Sequence, residues 1–348
     1  MQSGRCKAGA SGRGVTVRIT LILLAGLALL WSAAWFTAAR TLERAAETWF
    51  AETAAAGLLA GYDHLSVGGW PVRLELRVEG PRLRDPLTGV GWRGEILRAG
   101  VSAWAPHRLW ATPEGKQTLW VAGTELALEA EALRAEARLA LPAGRVDRLA
   151  VDLDGGDVRG AGPGPLRVAR GRLRADLAED MPWVTLELER LDPEGLGLAQ
   201  KGWPDEISPQ PSGPVTRLAG RVAVDPSGTG AGLPWPPARI ELAGLALDWG
   251  DTRLRADGGL DIAPEGWPEG RIALQAEDWA PLLALAVTLG AVGREVAPTW
   301  LQVLAALEEA GDVPGLLEVP LIFQGGRMSF GPLPLGPAPR LAPPVPAG

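Results

Sequence analysis

The side chains best suited to catalysis or metal binding are sparse in this chain and widely spaced. Only two histidines and one cysteine are present, and His64 and His107 lie far apart in the sequence. Structural zinc sites are built from closely spaced cysteine and histidine ligands. No Gly-x-Ser-x-Gly motif, which would present a nucleophilic serine, occurs anywhere in the sequence. The sequence therefore predicts no metal site and no catalytic residues, and we expect the chain not to be an enzyme.

Three glycine-containing segments resemble ligand-binding loops but lack the residues that binding requires. Residues 115–118 lack the upstream glycine and the hydroxyl next to the lysine of a phosphate loop. Residues 152–163 resemble a calcium loop, but Asp157 replaces the required glycine and Pro163 replaces the closing glutamate. Residues 228–232 are followed by Leu-Pro rather than by a helix, which argues against a dinucleotide site. We predict no cofactor.

An uncharged run from Ile19 to Ala39 follows a short basic tail. As a helix it would be about 31 Å long, which is enough to cross the hydrocarbon core of a bilayer. Residues 1–18 contain arginine and lysine but no acid, so the positive-inside rule predicts a cytoplasmic N-terminus and an exported remainder. A signal peptide cleaved after small residues at 32–34 or 37–39 is the alternative. The residues predicted to form the anchor are Ile19, Leu21, Leu24, Leu27, Leu30, Trp31, Trp35 and Phe36.

The exported part is acidic. The chain has 34 Lys+Arg against 41 Asp+Glu, and four of the basic residues lie in the N-terminal tail. Nucleic acids and anionic membrane surfaces bind clustered basic residues, so neither is expected as a general partner. The single cysteine, Cys6, precedes the apolar run, so the exported part is expected to contain no disulfide.

Hydrophobic periodicity changes from helical to strand-like along the chain. Residues 41–61 repeat apolar side chains at helical spacing, which predicts a helix that continues the anchor. Strict alternation begins at 72–78, and glycines at 154–157 and 257–259 predict tight hairpin turns. Further strands are predicted at 119–121, 125–131, 149–154, 183–191, 218–224, 239–247, 252–256 and 271–275, a helical pair at 279–289 and 298–310, and a last hairpin at 319–330.

A Trp-Pro repeat recurs through these strands. Trp235 and Trp267 each open a Trp-Pro-x-x-Arg-Ile-x-Leu segment, Trp70 opens a shorter version, and Trp203 begins a fourth Trp-Pro pair. One interpretation is a row of tryptophans that lines an apolar groove. The other is that Trp-Pro opens a strand, because proline fixes φ and is tolerated at a strand's first residue.

Three short segments resemble an uncharacterised bacterial family, the domain of unknown function 2125. They are residues 69–76, 102–106 and 326–333, which lie behind a basic tail, one span and a helix. The family has no assigned activity, so the resemblance implies no functional residue. The architecture is also similar to that of AsmA-like envelope proteins, and this analogy implies an association with lipid movement or outer-membrane homeostasis.

Together these patterns predict a mainly β fold with α elements: an N-terminal transmembrane helix, then a long, curved, largely antiparallel, repeat-built sheet with a packed helical pair. We expect a non-enzymatic, single-pass protein of the bacterial inner membrane whose periplasmic sheet binds or passes a lipid-like apolar ligand; a tethered scaffold that binds another envelope protein is the alternative. The predicted segments are a cytoplasmic tail at 1–18, the anchor at 19–39, a membrane-proximal helix at 40–61, an N-terminal β-rich half at 62–200, a proline-rich linker at 201–217, a C-terminal β-rich half at 218–330 with the helical pair within 279–310, and an extended or disordered proline-rich tail at 331–348.

Overall fold

The computed structural model describes residues 12–86, 89–102, 104–121, 124–140, 145–160, 164–178, 181–192, 213–225, 238–288 and 292–341, with side chains from residue 23 onward except at 288. Within these ranges the chain forms three helices and 17 strands. The helices are α1 (Gly12–Ala55), α2 (Ala280–Thr288) and α3 (Ala297–Glu309). The strands are β1 (Leu59–Gly61), β2 (His64–Gly68), β3 (Arg73–Glu79), β4 (Arg82–Arg84), β5 (Gly91–Ser102), β6 (Ala105–Val121), β7 (Thr124–Ala140), β8 (Arg145–Arg159), β9 (Leu166–Asp176), β10 (Trp183–Asp192), β11 (Val215–Asp225), β12 (Arg239–Trp249), β13 (Thr252–Ile262), β14 (Pro268–Glu277), β15 (Leu316–Gln324), β16 (Arg327–Phe330) and β17 (Leu333–Pro337).

The strands form one open antiparallel sheet. From β5 to β17 every strand pairs with the next one in the chain. At the other end β5 pairs with both β3 and β4, and these pair with β2 and β1 respectively. The predicted fold class, a mainly β chain with an N-terminal apolar helix and a long antiparallel sheet, is confirmed. Because β10 pairs with β11, the sheet continues across the predicted linker, whose residues 201–212 lie outside the described part of the chain.

The pairing register separates apolar from charged side chains onto two faces. Leu173 of β9 lies between Val151 of β8 and Leu186 of β10. Its chain neighbour Arg172 lies between Asp152 and Glu187 and therefore points to the opposite face. Similar rows continue along the sheet, so one face is lined by leucine, valine, isoleucine and alanine and the other by arginine, aspartate and glutamate.

The glycines at 154–157 and 257–259 do not form the predicted hairpin turns. They lie inside β8 and β13, in the middle of continuous pairing. A Cβ at Gly258 would collide with the carbonyl oxygen of Arg271, and Gly155 has a φ of 53°. Gly258 is therefore needed because the neighbouring strand approaches closely, and Gly155 because its backbone adopts a positive φ. Both conditions favour glycine inside a strand.

Helix α1 lies against the β2 end of the sheet. The Trp31 Nε1 donates a hydrogen bond of 2.9 Å to the carbonyl oxygen of Pro71, and the Trp35 Nε1 donates one of 2.8 Å to that of Arg73. Further along the helix, the rings of Phe50 and Tyr62 are 4.8 Å apart. The anchor and the membrane-proximal segment form one helix, as expected, but it ends at Ala55, and residues 59–61 form β1.

The sheet also extends into the proline-rich C-terminal segment, where the sequence predicts an extended or disordered tail. Residues 333–337 form β17 and pair with β16. The amides of Ala338 and Leu341 donate to the carbonyl oxygens of Gly326 and Gly266 at 2.9 and 2.8 Å. Alternating Leu and Pro is compatible with an edge strand, because a missing N–H is tolerated there.

The close approach at Gly258 can be tested by adding one methyl group. We expect Gly258→Ala to lower the free energy of unfolding by about 1–3 kcal/mol, the usual cost of overpacking. The matched control is Gly68→Ala in β2, where an added Cβ has no neighbour within 4 Å. Thermal unfolding of the detergent-solubilised chain measures both. Equal midpoints for the two variants would contradict this role of Gly258.

Candidate functional site

The apolar face of the sheet is covered by helices at its β17 end but not in its middle. Helices α2 and α3 pack on it from β17 to β12, where Leu282 reaches the cluster formed by Val215, Leu247 and Trp249. No described helix or second sheet packs over the same face from β6 to β10. Leu173 and Leu188 are only partly buried there, and Leu186 is 39% exposed. This stretch, the apolar faces of β6 to β10, is called the open apolar face below.

Under the helical pair lies a cavity of about 270 Å³ whose walls are entirely hydrophobic. Trp279, Leu283, Trp300 and Leu304 form its helical side and are buried. The lining residues are Leu254, Leu274, Ala276, Trp279, Leu282, Leu283, Ala286, Val292, Trp300, Leu304, Leu317, Val319, Leu321, Phe330 and Leu335. Such walls are typical of sites that bind an apolar group without directional polar contacts.

Two polar contacts position the helices that roof this cavity. The hydroxyl of Thr252, which is fully buried, donates to the carbonyl oxygen of Asp278 at 2.8 Å, where the chain leaves β14 for α2. The Trp279 Nε1 donates to Glu308 Oε2 at 2.8 Å and so joins the start of α2 to the end of α3. The ring of Trp300 stacks on Phe330 at a centroid distance of 5.9 Å. The cavity is thereby held between fixed walls.

The predicted groove tryptophans lie elsewhere. Trp70 is 56% exposed in the turn between β2 and β3, and Trp267 lies directly before β14. The guanidinium carbon of Arg340 is 4.8 Å from the centroid of the Trp267 ring. Neither tryptophan lines the apolar cavity. Trp203 and Trp235 lie outside the described residues.

The predicted anchor residues all lie on α1. Leu24, Leu27 and Leu30 are 56%, 65% and 71% exposed, whereas Trp31 and Trp35 bond to the sheet as described above. Ile19 and Leu21 lie in the part of the helix described by its backbone alone, and Phe36 is 55% exposed. One helix is thus long and apolar enough to span a membrane in the described chain.

Sequence reasoning did not single out the residues of the open apolar face or of the cavity as a site. Leu186 belongs to a period-two strand, and Trp279 and Trp300 belong to the predicted helical pair. The periodicity shows which side chains share a face. It does not show whether another element covers that face.

The charged face carries ion pairs between neighbouring strands. Arg98 of β5 lies 2.6 Å from a carboxylate oxygen of Glu75 on β3 and 3.2 Å from one of Glu114 on β6. The hydrogen bond to Glu75, followed by that to Glu114, raises the pKa of Arg98. Arg170 joins Asp154 and Glu189 in the same way across β8, β9 and β10.

An open groove of about 950 Å³ follows this charged face from the turn between β5 and β6 to β11. Its basic residues are Arg108, Arg138, Arg148, Arg174 and Arg221, and its acidic residues are Glu136 and Asp176. The guanidinium of Arg221 lies 4.0 Å over the ring of Trp183. No group of three or more histidine, cysteine, aspartate or glutamate side chains is placed to hold a metal ion in the described part of the chain.

The segment that imitates a phosphate loop is an irregularity within β6. Gly115 has a φ of 75°, and the register between β6 and its neighbours shifts here. The buried amide of Gln117 donates from Nε2 to the carbonyl oxygens of Glu114 and Gly115 and accepts from Trp92 Nε1 at 3.0 Å. These bonds explain Gln117 as a structural residue.

Comparison with known proteins adds one match. The model of a family described as an uncharacterised protein conserved in bacteria (DUF2125) matches residues 35–339. No curated protein and no solved structure matches the chain.

The cavity can be tested by filling it. We expect Ala286→Phe to reduce binding of the apolar dye 1,8-anilinonaphthalene sulfonate several-fold, because Ala286 lines the cavity. The matched control is Ala306→Phe, which adds the same ring at an exposed position of α3. Dye fluorescence titrated with each variant is the measurement. Equal loss in both variants, or in neither, would contradict a ligand-accessible cavity.

The ion pair of Glu129 predicts a pH effect. Its pKa is lowered chiefly by a hydrogen bond from Lys116, whose Nζ is 3.1 Å from Glu129 Oε1. A carboxylate with a lowered folded pKa stabilises the fold above its unfolded pKa, about 4.3, and loses this contribution as pH falls through the folded value. We expect Lys116→Gln to raise the pKa of Glu129 and Lys116→Arg to preserve it, as measured by NMR titration of the carboxyl carbon. An unchanged titration in Lys116→Gln would contradict the assignment.

Proposed function

The chain belongs to the uncharacterised bacterial family DUF2125, and we propose that it is a non-enzymatic, membrane-anchored protein of the cell envelope that binds a lipid-like ligand on its apolar sheet face. In this proposal α1 crosses the inner membrane once with the N-terminus in the cytoplasm, and the sheet lies in the periplasm. The basic residues before the apolar run support this orientation.

The open apolar face is the observation that carries the proposal. Five adjacent strands, β6 to β10, present leucines, valines and alanines over which no described helix packs; most are partly buried, whereas Leu128, Val168 and Ala175 are buried. At a strand spacing of about 4.8 Å, this stretch is about 20 Å wide. Soluble proteins rarely leave a continuous apolar surface uncovered, and each methylene group of a ligand buried on it contributes about 0.8 kcal/mol.

The position of this face relative to the helices supports an acyl chain as the ligand. Toward β17, the same face continues under α2 and α3, where the apolar cavity lies. Toward β2, the sheet ends against α1, the helix that is long and apolar enough to span a membrane. Between these two ends, the open apolar face from β6 to β10 would give a lipid chain that leaves the bilayer an apolar path toward the cavity.

Substitutions on opposite faces of one strand test this function. We expect Leu186→Glu to reduce labelling of β9 and β10 peptides several-fold when the full chain, in vesicles, is irradiated with phosphatidylethanolamine carrying a diazirine on its acyl chain. Thr185→Glu is the matched control, because Thr185 pairs with Arg174 on the charged face whereas Leu186 pairs with Leu173. Peptide mapping by mass spectrometry reads the label. Equal labelling in both variants would exclude this surface as the lipid site.

The scaffold alternative remains a prediction. It depends on a sheet edge or on the proline-rich tail, but residues 333–337 of that tail pair with β16, and Ala338 and Leu341 are hydrogen-bonded to the turns at Gly326 and Gly266. An edge-mediated complex with another envelope protein is the form of the alternative that this arrangement leaves. A full chain that shows no lipid labelling in any described strand but forms a complex of fixed stoichiometry would favour it.

A further inference from the structure

The end of the sheet beside α1 exposes an uncharged aromatic edge. Trp70 and Val72, in the turn between β2 and β3, are 56% and 40% exposed, and Trp104, in the turn between β5 and β6, is 73% exposed. The two turns are neighbours, because Arg73 pairs with Ser102 where their strands begin and end. Residues 68–72 and 102–106 contain no charged side chain. Exposed tryptophans on uncharged turns are typical of protein that enters a membrane–water interface.

The contact between α1 and this edge fixes the depth of the edge relative to the bilayer that α1 would cross. Arg18 is the last charged residue before the apolar run, and Trp31 is 13 positions further along the helix. At ~1.5 Å per residue, Trp31 lies about 20 Å beyond Arg18, whereas the hydrocarbon core is about 30 Å thick. Since Trp31 donates a hydrogen bond to Pro71, the turn that carries Trp70 is held at the same depth. A bilayer crossed by α1 therefore reaches this turn, even when local thinning of the bilayer takes up several ångströms.

A row of arginines lies just inside the same edge. Arg138 of β7 pairs with Arg108 of β6 on one side and with Arg148 of β8 on the other, all at one end of the open groove on the charged face. Like charges directly opposite each other destabilise a sheet unless they are neutralised. Asp147 lies 3.9 Å from Arg138 and Asp176 lies 3.3 Å from Arg148, whereas Arg108 makes no ion pair within the described chain. Arginine binds phosphate well, through charge and through paired N–H donors.

We propose that this edge of the sheet lies in the interface of the bilayer leaflet on its own side of the membrane. Trp70, Val72 and Trp104 lie at the boundary between acyl chains and headgroups, and the arginine row faces lipid phosphates. The proposal rests on the membrane anchoring by α1 proposed above. The arginine row is then a local basic patch on a chain that is acidic overall. The proposal places the first strands of the sheet in direct contact with lipid.

Site-specific fluorescent labels test the position of the edge in the intact protein. Cys6→Ser removes the single cysteine. On that background, Val72→Cys and Trp70→Cys place a nitrobenzoxadiazole label at the edge, and Val121→Cys places it at the far end of β6. Since β6 spans Ala105–Val121, the control lies about 50 Å from the Trp104 turn. The full-length chain is reconstituted into vesicles of phosphatidylethanolamine and phosphatidylglycerol that contain lipids with a nitroxide quencher near the headgroup.

We expect quenching at positions 70 and 72 to be several-fold stronger than at 121, with emission shifted to shorter wavelength. Labels at both edge positions that behave as the control does, in a chain that alkaline carbonate does not extract from the vesicles, would overturn the inference and leave the anchor intact. Extraction of the unlabelled chain by carbonate would instead overturn the anchor. Strong quenching at 121 as well would also overturn the inference, because the whole sheet would then lie on the membrane.

Discussion

The structure depends on a single constraint: apolar and charged residues alternate along strands that, from β5 to β17, each pair with the next one in the chain. Because antiparallel pairing places opposite residues on the same face, the alternation in one strand is passed to its neighbour. Leu173 therefore faces Leu186, and Arg172 faces Glu187, without any contact distant in sequence. A single sheet built in this way has one apolar face and no second sheet to bury it. The helical pair covers one end of that face, and the proposed ligand would cover the middle.

The charged face is explained by the same constraint. Arginines and acids of neighbouring strands meet there in pairs such as Arg253 with Glu277 and Arg239 with Asp261. These groups are largely exposed, and exposed pairs contribute at most about 1 kcal/mol each. Their larger effect is on register, because a slip of one residue would place them on the apolar face. The energetic core lies instead under α2 and α3, where Trp279, Trp300 and Leu304 are buried.

Elements that depend on local periodicity could be predicted from the sequence. The strand predicted at 183–191 is β10, Trp183–Asp192, and the helices predicted at 279–289 and 298–310 are α2 and α3 within two residues at each end. Features that depend on neighbouring strands could not be predicted from the sequence. Gly258 has the composition of a turn, yet it lies inside a strand because Arg271 on the next strand leaves no room for a side chain. The cavity was equally inaccessible to sequence reasoning, since its walls come from five strands and two helices brought together only by the fold.

The last strand has a consequence for how the sheet stops. A sheet made of repeated hairpins has no internal limit, and an exposed terminal strand is a template on which another chain can continue the pairing. Pro334 and Pro337 lie in β17, and neither has an amide hydrogen to offer to an added strand. At the opposite end α1 lies beside β2. Both edges of the sheet thus oppose end-to-end polymerisation, to which a long open sheet would otherwise be prone.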